Sequence, residues 1–262
     1  MTLQTFKIHK NENSINFIGI IISIAIVIIY FSFVFLFAYN IPFWDEYDSL
    51  FDFINYYRNI SFPESLQYLF KNSNEHRIFT HRLAFLIQYI IEGEINFKHI
   101  IIIGNIGLIW IFLILINIFS DFKGNKIIYV PIALLLFIPQ NQFSDWGMVT
   151  FNSIIEYALV FTSLFFLNKK RKFDFVLAII FALIATYSFG NGMLTFIVGY
   201  IVLFFKHKKS FIKYSLWSLF MIIAILGYFY QYHTPGGLGS KFDFLFQPIN
   251  AIKFFFTIWG GI

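Results

Sequence analysis

The chain has 262 residues, of which 58% are hydrophobic and 13% charged, and it contains 39 Phe and 15 Tyr. Because an ordinary soluble domain has about 45–50% apolar and about 25% charged residues, this composition excludes a water-soluble globular fold and indicates a protein embedded in lipid. The net charge is +5, and basic residues lie in short clusters between apolar runs, as at 168–172 and 206–209. Such clusters are typical of cytoplasmic loops, which argues against a nucleic-acid partner. The chain has no cysteine, so disulfides and thiolate metal sites are excluded.

The first apolar run, Ile15–Ala38, is long enough to cross a hydrocarbon core of about 30 Å. Lys7 and Lys10 precede it, and no small-residue cleavage site follows it. We interpret residues 14–38 as a retained first span whose N-terminus lies in the cytoplasm, in a multi-pass protein of the bacterial cytoplasmic membrane.

Further apolar runs follow a long, more polar segment at residues 39–96. These runs are Phe97–Ser120, Ile127–Ile138, Gly147–Leu167, Phe173–Tyr187, Met193–Phe205, Phe211–Tyr230 and Ile249–Ile262. The last run stops at the chain end and is interpreted as a truncated span. Residues 1–262 are therefore predicted to form one all-α, polytopic transmembrane bundle with about seven to eight spans. Residues 39–96 are the external loop with amphipathic interfacial helices, and residues 97–262 form the rest of the bundle.

The stretch Ile78–Ile91 is ambiguous between a span and a surface helix. The N-terminus and the basic cluster 169–172 should both be cytoplasmic, so an even number of crossings separates them and one candidate run does not cross. Four polar residues share one helical face in this region: Arg77, His81, Gln88 and Glu92. We therefore predict that Ile78–Ile91 lies in the membrane interface. The alternative is that Ile127–Ile138 does not cross.

An acidic and aromatic motif, Pro42-Phe-Trp-Asp-Glu-Tyr-Asp48, follows the first span. Its Trp and Tyr suit the membrane interface, which puts Asp45 and Glu46 at headgroup level. A carboxylate that is partly desolvated there gains a raised pKa, which suits a general base, so both are candidate catalytic residues. The alternative is an interfacial helix whose acidic face is in water.

A basic motif follows at Asn74-Glu-His-Arg77 and Thr80-His-Arg82, and it suits binding of a phosphate group. The candidate binding residues are Glu75, His76, Arg77, His81 and Arg82. The alternative is that these side chains contact lipid headgroups. The only cofactor that the sequence suggests is a divalent metal, such as zinc held by His76, His81 and a carboxylate, although no spacing requires it.

A secondary polar site is predicted from Asp145, Asn152 and Glu156, which share one helical face along the run Gly147–Leu167. An acidic residue inside a span is costly and marks a functional site or a hydrogen bond to a neighbouring helix. The glycine-rich segment Tyr232–Lys241 is either a lid over a site or a plain linker.

Trp44-Asp45-Glu46 after the first span, a long external loop with amphipathic helices, and many short-looped spans resemble the GT-C class of membrane glycosyltransferases. Within that class the chain is similar to bacterial relatives of protein mannosyltransferases and aminoarabinose transferases. The resemblance implies transfer of a sugar from a polyprenyl-phosphate donor in the membrane lipid to an acceptor glycan, lipid or protein on the non-cytoplasmic face. It implies that Asp45 is the catalytic base or orients the acceptor. The chain departs from the family in having Asn74-Glu-His-Arg77 where a Lys-Pro-Pro-type motif is usual.

Two other functions fit the sequence. A transporter or lipid flippase would use Glu156 and the short helical hairpin Phe173–Phe205 as a site near the middle of the membrane. A non-catalytic membrane subunit would need none of these groups.

Overall fold

The computed structural model describes residues 3–59, 61–119, 126–139, 145–208, 210–232 and 246–260. Most of the predicted segment Tyr232–Lys241 lies outside them. In chain order the described helices are α1 (Leu3–Phe37), α2 (Asp52–Tyr57), α3 (Phe62–Leu69), α4 (Phe79–Glu92), α5 (Phe97–Phe119), α6 (Tyr129–Leu136), α7 (Gly147–Leu167), α8 (Lys172–Ser188), α9 (Leu194–Lys206), α10 (Phe211–Phe229) and α11 (Pro248–Gly260). Strands β1 (Asn72–Ser73) and β2 (His76–Arg77) pair as one antiparallel hairpin.

Within the described ranges, four helices are long and apolar enough to cross a membrane, in agreement with the prediction of an all-helical membrane protein. They are Ser14–Phe37, Phe97–Phe119, Gly147–Leu167 and Phe211–Phe229. Two shorter apolar helices, Lys126–Leu136 and Gly190–Lys206, lie in runs that the sequence also marks as apolar. Each exposes large hydrophobic side chains outward, which is expected where lipid is the solvent.

The helices α7 to α10 pack around the fully buried indole of Trp217. Its N–H donates a hydrogen bond to the Phe196 carbonyl at 2.9 Å, so the one polar atom of the ring is satisfied. Gly199 makes room for the ring, because a Cβ at that position would lie 2.3 Å from Trp217 Cζ2. Close packing of α9 on α10 therefore depends on a small residue there.

The helices α4 and α6 are placed differently in the bundle. At the start of α6 the Lys126 amide donates to Asn16 Oδ1 of α1 at 2.7 Å, and past its end Phe137 packs on Tyr30, so α6 runs alongside α1. By contrast, α4 lies across one end of the bundle. It begins beside Arg77, which bonds the end of α10, and it ends with Glu92 contacting His99 at the start of α5 at 3.1 Å.

The polar face of α4 points into the protein. Of the four residues predicted to share this face, Arg77, His81 and Gln88 are buried, and Glu92 at the end of the helix is exposed. The apolar Ile90 and Ile91 are 62% and 76% exposed. The predicted amphipathic helix is therefore present, but its polar side chains serve contacts inside the protein. Gln88 donates to the Asn96 carbonyl and accepts from the Asn96 amide, which fixes the turn into α5.

Candidate functional site

The end of the bundle where α1 ends and α5 and α7 begin carries a cavity of about 310 Å³. We call it the Asp45 cavity. Its lining residues are Asp45, Ser73, Asn74, Glu75, His76, Trp146, Met148, Val149, Asn152, Ser153 and Phe189. The predicted acidic motif, the basic loop and the polar face of α7 thus contribute side chains to one space. Of the candidate residues, Asp45, Glu75, His76 and Asn152 meet here.

The β-hairpin forms one wall of this cavity. Its register pairs Asn72 with Arg77 and Ser73 with His76. Because successive strand residues point to opposite faces, Ser73 and His76 line the Asp45 cavity, while Asn72 and Arg77 line a separate cavity on the other face, which is described below. At the hairpin tip the side-chain amide of Asn74 donates to Asp45 Oδ2 at 3.3 Å.

Backbone strain surrounds Asp45. Trp44 has a φ of 46° and Asn74 a φ of 49°, both in the left-handed region. Asn tolerates that region, but a bulky Trp does so at a cost of about 1–2 kcal/mol. Such strain is usually found at ligand sites, where the surrounding structure enforces it. The exposed Asp45, which directly follows Trp44, lines the cavity.

Asn152 lines the same cavity and carries a buried polar atom. It lies in a π-helical segment of α7, Thr150–Ile155, and another π-helical segment, Tyr47–Phe51, directly follows Glu46. Irregular helical turns of this kind often mark functional sites. Asn152 is 8% exposed, and its Oδ1 has no hydrogen-bond partner among the described residues. A buried oxygen without a protein partner is expected to bind water or a ligand.

Glu46 lies outside the cavity lining and holds the local backbone together. One carboxylate oxygen accepts a hydrogen bond from the Met148 amide at 2.7 Å and the other from the Phe43 amide at 2.9 Å. Glu46 thereby caps the start of α7 from a distant part of the chain. Its side chain is 1% exposed, and burial raises its pKa to about 7, against the lowering effect of the two amides. Glu46 therefore joins its own segment to the start of α7 and does not line the Asp45 cavity.

The two arginines of the basic motif bind helix ends. At the end of α10, Arg77 donates to the Tyr228 carbonyl at 2.7 Å and to the Tyr230 carbonyl. At the end of α3 it donates to the Phe70 carbonyl. Arg82 donates to the carbonyls of Tyr68 and Lys71 past the same end of α3. Cationic side chains stabilise these electronegative helix termini. Burial lowers the pKa of Arg82 to about 10, which still leaves it charged at neutral pH. Neither arginine lines the Asp45 cavity.

His81 is fully buried between aromatic rings. Its imidazole stacks on Phe151 with ring centres 5.6 Å apart and meets Phe85 edge-on at 4.8 Å. Burial and the charge of Arg82 lower its pKa to about 3, so it is neutral. It therefore offers no positive charge to a phosphate. Among the described residues no group of three His, Asp or Glu side chains comes together, so the predicted zinc arrangement does not form there.

A second, apolar cavity of about 410 Å³ adjoins the Asp45 cavity. We call it the Trp44 cavity. Its lining residues are Phe37, Tyr39, Ile41, Pro42, Phe43, Trp44, Asp145 and Trp146. The Trp146 indole lines both cavities and packs edge-on against Phe43 at 5.2 Å, so the polar and apolar spaces share a wall.

The predicted polar face of α7 is divided among three environments. Asp145 lines the Trp44 cavity, and Asn152 lines the Asp45 cavity. Glu156 is 1% exposed, and neither of its oxygens has a hydrogen-bond partner among the described residues. Helical periodicity aligns the three residues, but they do not form one site.

Phe189 and Ser153 are site residues that the sequence analysis did not select. Phe189 lies in the turn after α8, and its ring packs on the His76 imidazole with centres 4.1 Å apart. In the sequence, only the glycines of that turn pointed to Phe189. The structure explains why one of these positions is a glycine. A Cβ on Gly192 would lie 2.1 Å from the Ala185 carbonyl oxygen.

Comparisons with protein-family models, curated proteins and solved structures give no match for this chain.

Proposed function

We propose that this protein is a membrane glycosyltransferase that moves a sugar from a polyprenyl-phosphate donor to an acceptor at the Asp45 cavity. The observation that carries the proposal is the shared wall at Trp146. A polar cavity with carboxylate, imidazole and amide groups lies directly beside an apolar cavity at the end of a lipid-exposed helix. An amphiphile with a polar head and an isoprenoid tail matches that pair of spaces.

The side chains of the Asp45 cavity suit the reaction. Asp45 takes the proton from the acceptor hydroxyl as its oxygen attacks the anomeric carbon of the sugar. The bond from that carbon to the phosphate oxygen breaks, and the polyprenyl phosphate leaves with the bonding electrons. During this step a ring N–H of His76 and the side-chain N–H groups of Asn152 donate to the phosphate oxygens, whose negative charge grows in the transition state. A site of this type acts through placed donors and a base, without a covalent intermediate.

We also propose how the chain is oriented across the membrane. The N-terminus lies in the cytoplasm, α6 crosses the membrane beside α1, and α4 stays in the outer interface. The Asp45 cavity then opens to the non-cytoplasmic face of a bacterial cytoplasmic membrane. The contacts of α6 along α1 support this path, and so do the basic residues between α7 and α8, at the opposite end of α7 from the cavity.

The test is sugar transfer in membranes supplied with radiolabelled polyprenyl-phosphate sugars. Asp45→Asn removes the base but keeps the shape of the side chain, so transfer should fall by about 100-fold or more. Asp48→Asn is the matched control, because Asp48 is also an exposed acid of the same motif but lines neither cavity. Equal activity of Asp45→Asn and wild type would reject the assignment of the base.

A second candidate function is transport, and the observation in its favour is Glu156. A buried carboxyl group inside a span, without a protein partner among the described residues, is typical of proton or substrate pathways. Glu156→Gln should then abolish the movement of substrate across the membrane of proteoliposomes. The transferase proposal instead expects Glu156→Gln to retain transfer.

A further inference from the structure

A third cavity, of about 700 Å³, lies on the opposite face of the β-hairpin. We call it the Tyr68 cavity. The residues that matter for its chemistry are Tyr56, Gln67, Tyr68, Tyr187, Tyr230 and Gln231. They come from α2, α3, α8 and the segment after α10, so the cavity joins the external loop to the bundle. The hairpin contributes Asn72 and Arg77 to its wall.

The charged residues of this cavity are already engaged within the protein. Arg77 donates to carbonyls at the ends of two helices. Glu64 accepts hydrogen bonds from the Ser61 amide at 3.1 Å and hydroxyl at 2.9 Å, as the capping box of α3. The Lys71 ammonium lies 4.9 Å from the centre of the Tyr68 ring. The groups that dominate the lining are therefore phenol rings and amides, which suit a neutral ligand.

Tyrosines and amides in one cleft recognise a specific class of molecule. Tyr56 packs on Tyr68 with ring centres 4.5 Å apart and remains 44% exposed, so the pair presents the Tyr56 ring as an aromatic surface. The C–H faces of pyranose rings pack on such surfaces, whose electron-rich faces attract polarised C–H groups. Amide and phenol groups, here Gln67, Gln231 and Tyr230, both donate and accept hydrogen bonds, as sugar hydroxyls do.

Backbone strain marks this cavity as it marks the Asp45 cavity. Gln231 has a φ of 50°, in the left-handed region that costs a residue with a Cβ about 1 kcal/mol or more. Among the described residues the non-glycine positions with positive φ are Trp44, Asn74 and Gln231, and each lines one of the three cavities. Strain of this kind persists where function requires a particular backbone shape.

We propose that the Tyr68 cavity binds a neutral oligosaccharide, and that this oligosaccharide is the acceptor of the transferred sugar. The second half of this inference rests on the proposed function, and the first half does not. The hairpin is the thin partition between acceptor and donor spaces. Its tip is held by the Tyr232 hydroxyl, which donates to the Glu75 carbonyl at 2.8 Å. An acceptor in the Tyr68 cavity would extend one end past this tip toward Asp45.

The test is equilibrium binding of radiolabelled maltotetraose, cellotetraose and chitotetraose, and of the anionic tetragalacturonate, to the full chain in lipid nanodiscs. Nanodiscs avoid the sugar headgroups of maltoside detergents, which would compete. Tyr56→Ala and Tyr230→Ala are the variants, and Tyr47→Ala is the matched control. The three side chains are 44%, 67% and 53% exposed, so their loss should not unfold the protein, and Tyr47 lines none of the three cavities.

At least one neutral oligosaccharide should bind the wild type, and each variant in the cavity should bind it about five- to tenfold more weakly. The control should bind like the wild type. No binding, equal binding by all four proteins, or preferred binding of tetragalacturonate would overturn the inference. Asp45→Asn should keep oligosaccharide binding while losing transfer. Oligosaccharide binding without any transfer by the wild type would leave the carbohydrate site in place and reject the transferase proposal.

Discussion

The buried carboxyl group of Glu46 should make the stability of the protein depend on pH. Burial raises its pKa from 4.5 to about 7 in the folded state, and an unfolded chain restores the ordinary value. The folded state therefore prefers the protonated form. The stabilisation is fully present below about pH 4.5 and is lost as the pH rises through about 7. At 1.36 kcal/mol per pKa unit, the loss is about 3 kcal/mol.

The perturbation is Glu46→Gln, which keeps the size of the side chain and removes the titration. The protonated carboxyl group can accept from both backbone N–H groups, of Met148 and Phe43, through its carbonyl and hydroxyl oxygens, whereas the Gln amide can accept only through its one oxygen. Leaving the other N–H unpaired costs about 1–3 kcal/mol. The variant should therefore be less stable than the wild type at pH 5. Between pH 5 and pH 8 its stability should change less than that of the wild type.

The assay is thermal unfolding in detergent, followed by tryptophan fluorescence at several pH values. A loss of about 3 kcal/mol corresponds to an apparent Tm lower by about 6–12 °C in the wild type at pH 8 than at pH 5. Other groups also titrate over this range, so the measured quantity is the difference in pH dependence between wild type and Glu46→Gln. Asp48→Asn controls for loss of a nearby exposed carboxylate. Identical pH profiles for wild type and Glu46→Gln would refute the reasoning.

Three further predictions concern packing, the basic motif and the phosphate contact. Gly199→Ala should lower the free energy of unfolding by about 1–3 kcal/mol, because its Cβ would clash with the Trp217 ring. In the same thermal assay, Val198→Ala on the exposed face of α9 should lower the free energy of unfolding far less. Arg82→Met should lower the apparent Tm, because the carbonyls of Tyr68 and Lys71 lose their donor, and a wild-type Tm would show that these contacts do not stabilise α3. His76→Gln should reduce transfer while His81→Leu leaves transfer unchanged, and the reverse order in the membrane assay would contradict the placement of the two imidazoles.

Hydropathy and helical period were sufficient for the parts of the fold that local sequence controls. The four long helices of the structure coincide with predicted apolar runs, because burial in lipid requires continuous hydrophobic segments. The helical character of Ile78–Ile91 was also predictable. The direction of its polar face was not, since an amphipathic pattern does not say whether water or protein receives that face.

The site was predictable as a set of segments but not as a set of contacts. Asp45, His76 and Asn152 were selected from separate motifs, and the structure brings them to one cavity. The roles of Glu46 and Arg77 depend on backbone groups that are 102 and 151 residues away in the chain. Sequence patterns show such charges but not the helix ends that they bind, so a capping residue and a ligand-binding residue look alike.

We propose that the Asp45 and Trp44 cavities together hold one lipid-linked sugar. The most direct measurement is photo-crosslinking with a polyprenyl-phosphate hexose that carries a diazirine near the phosphate end of its isoprenoid chain, followed by mass spectrometry. The adducts should map to Pro42–Trp44 and Asp145–Trp146, which line the apolar space beside the shared wall. Excess unlabelled donor should prevent them. Adducts that map instead to the helices around Glu156 would contradict the claim.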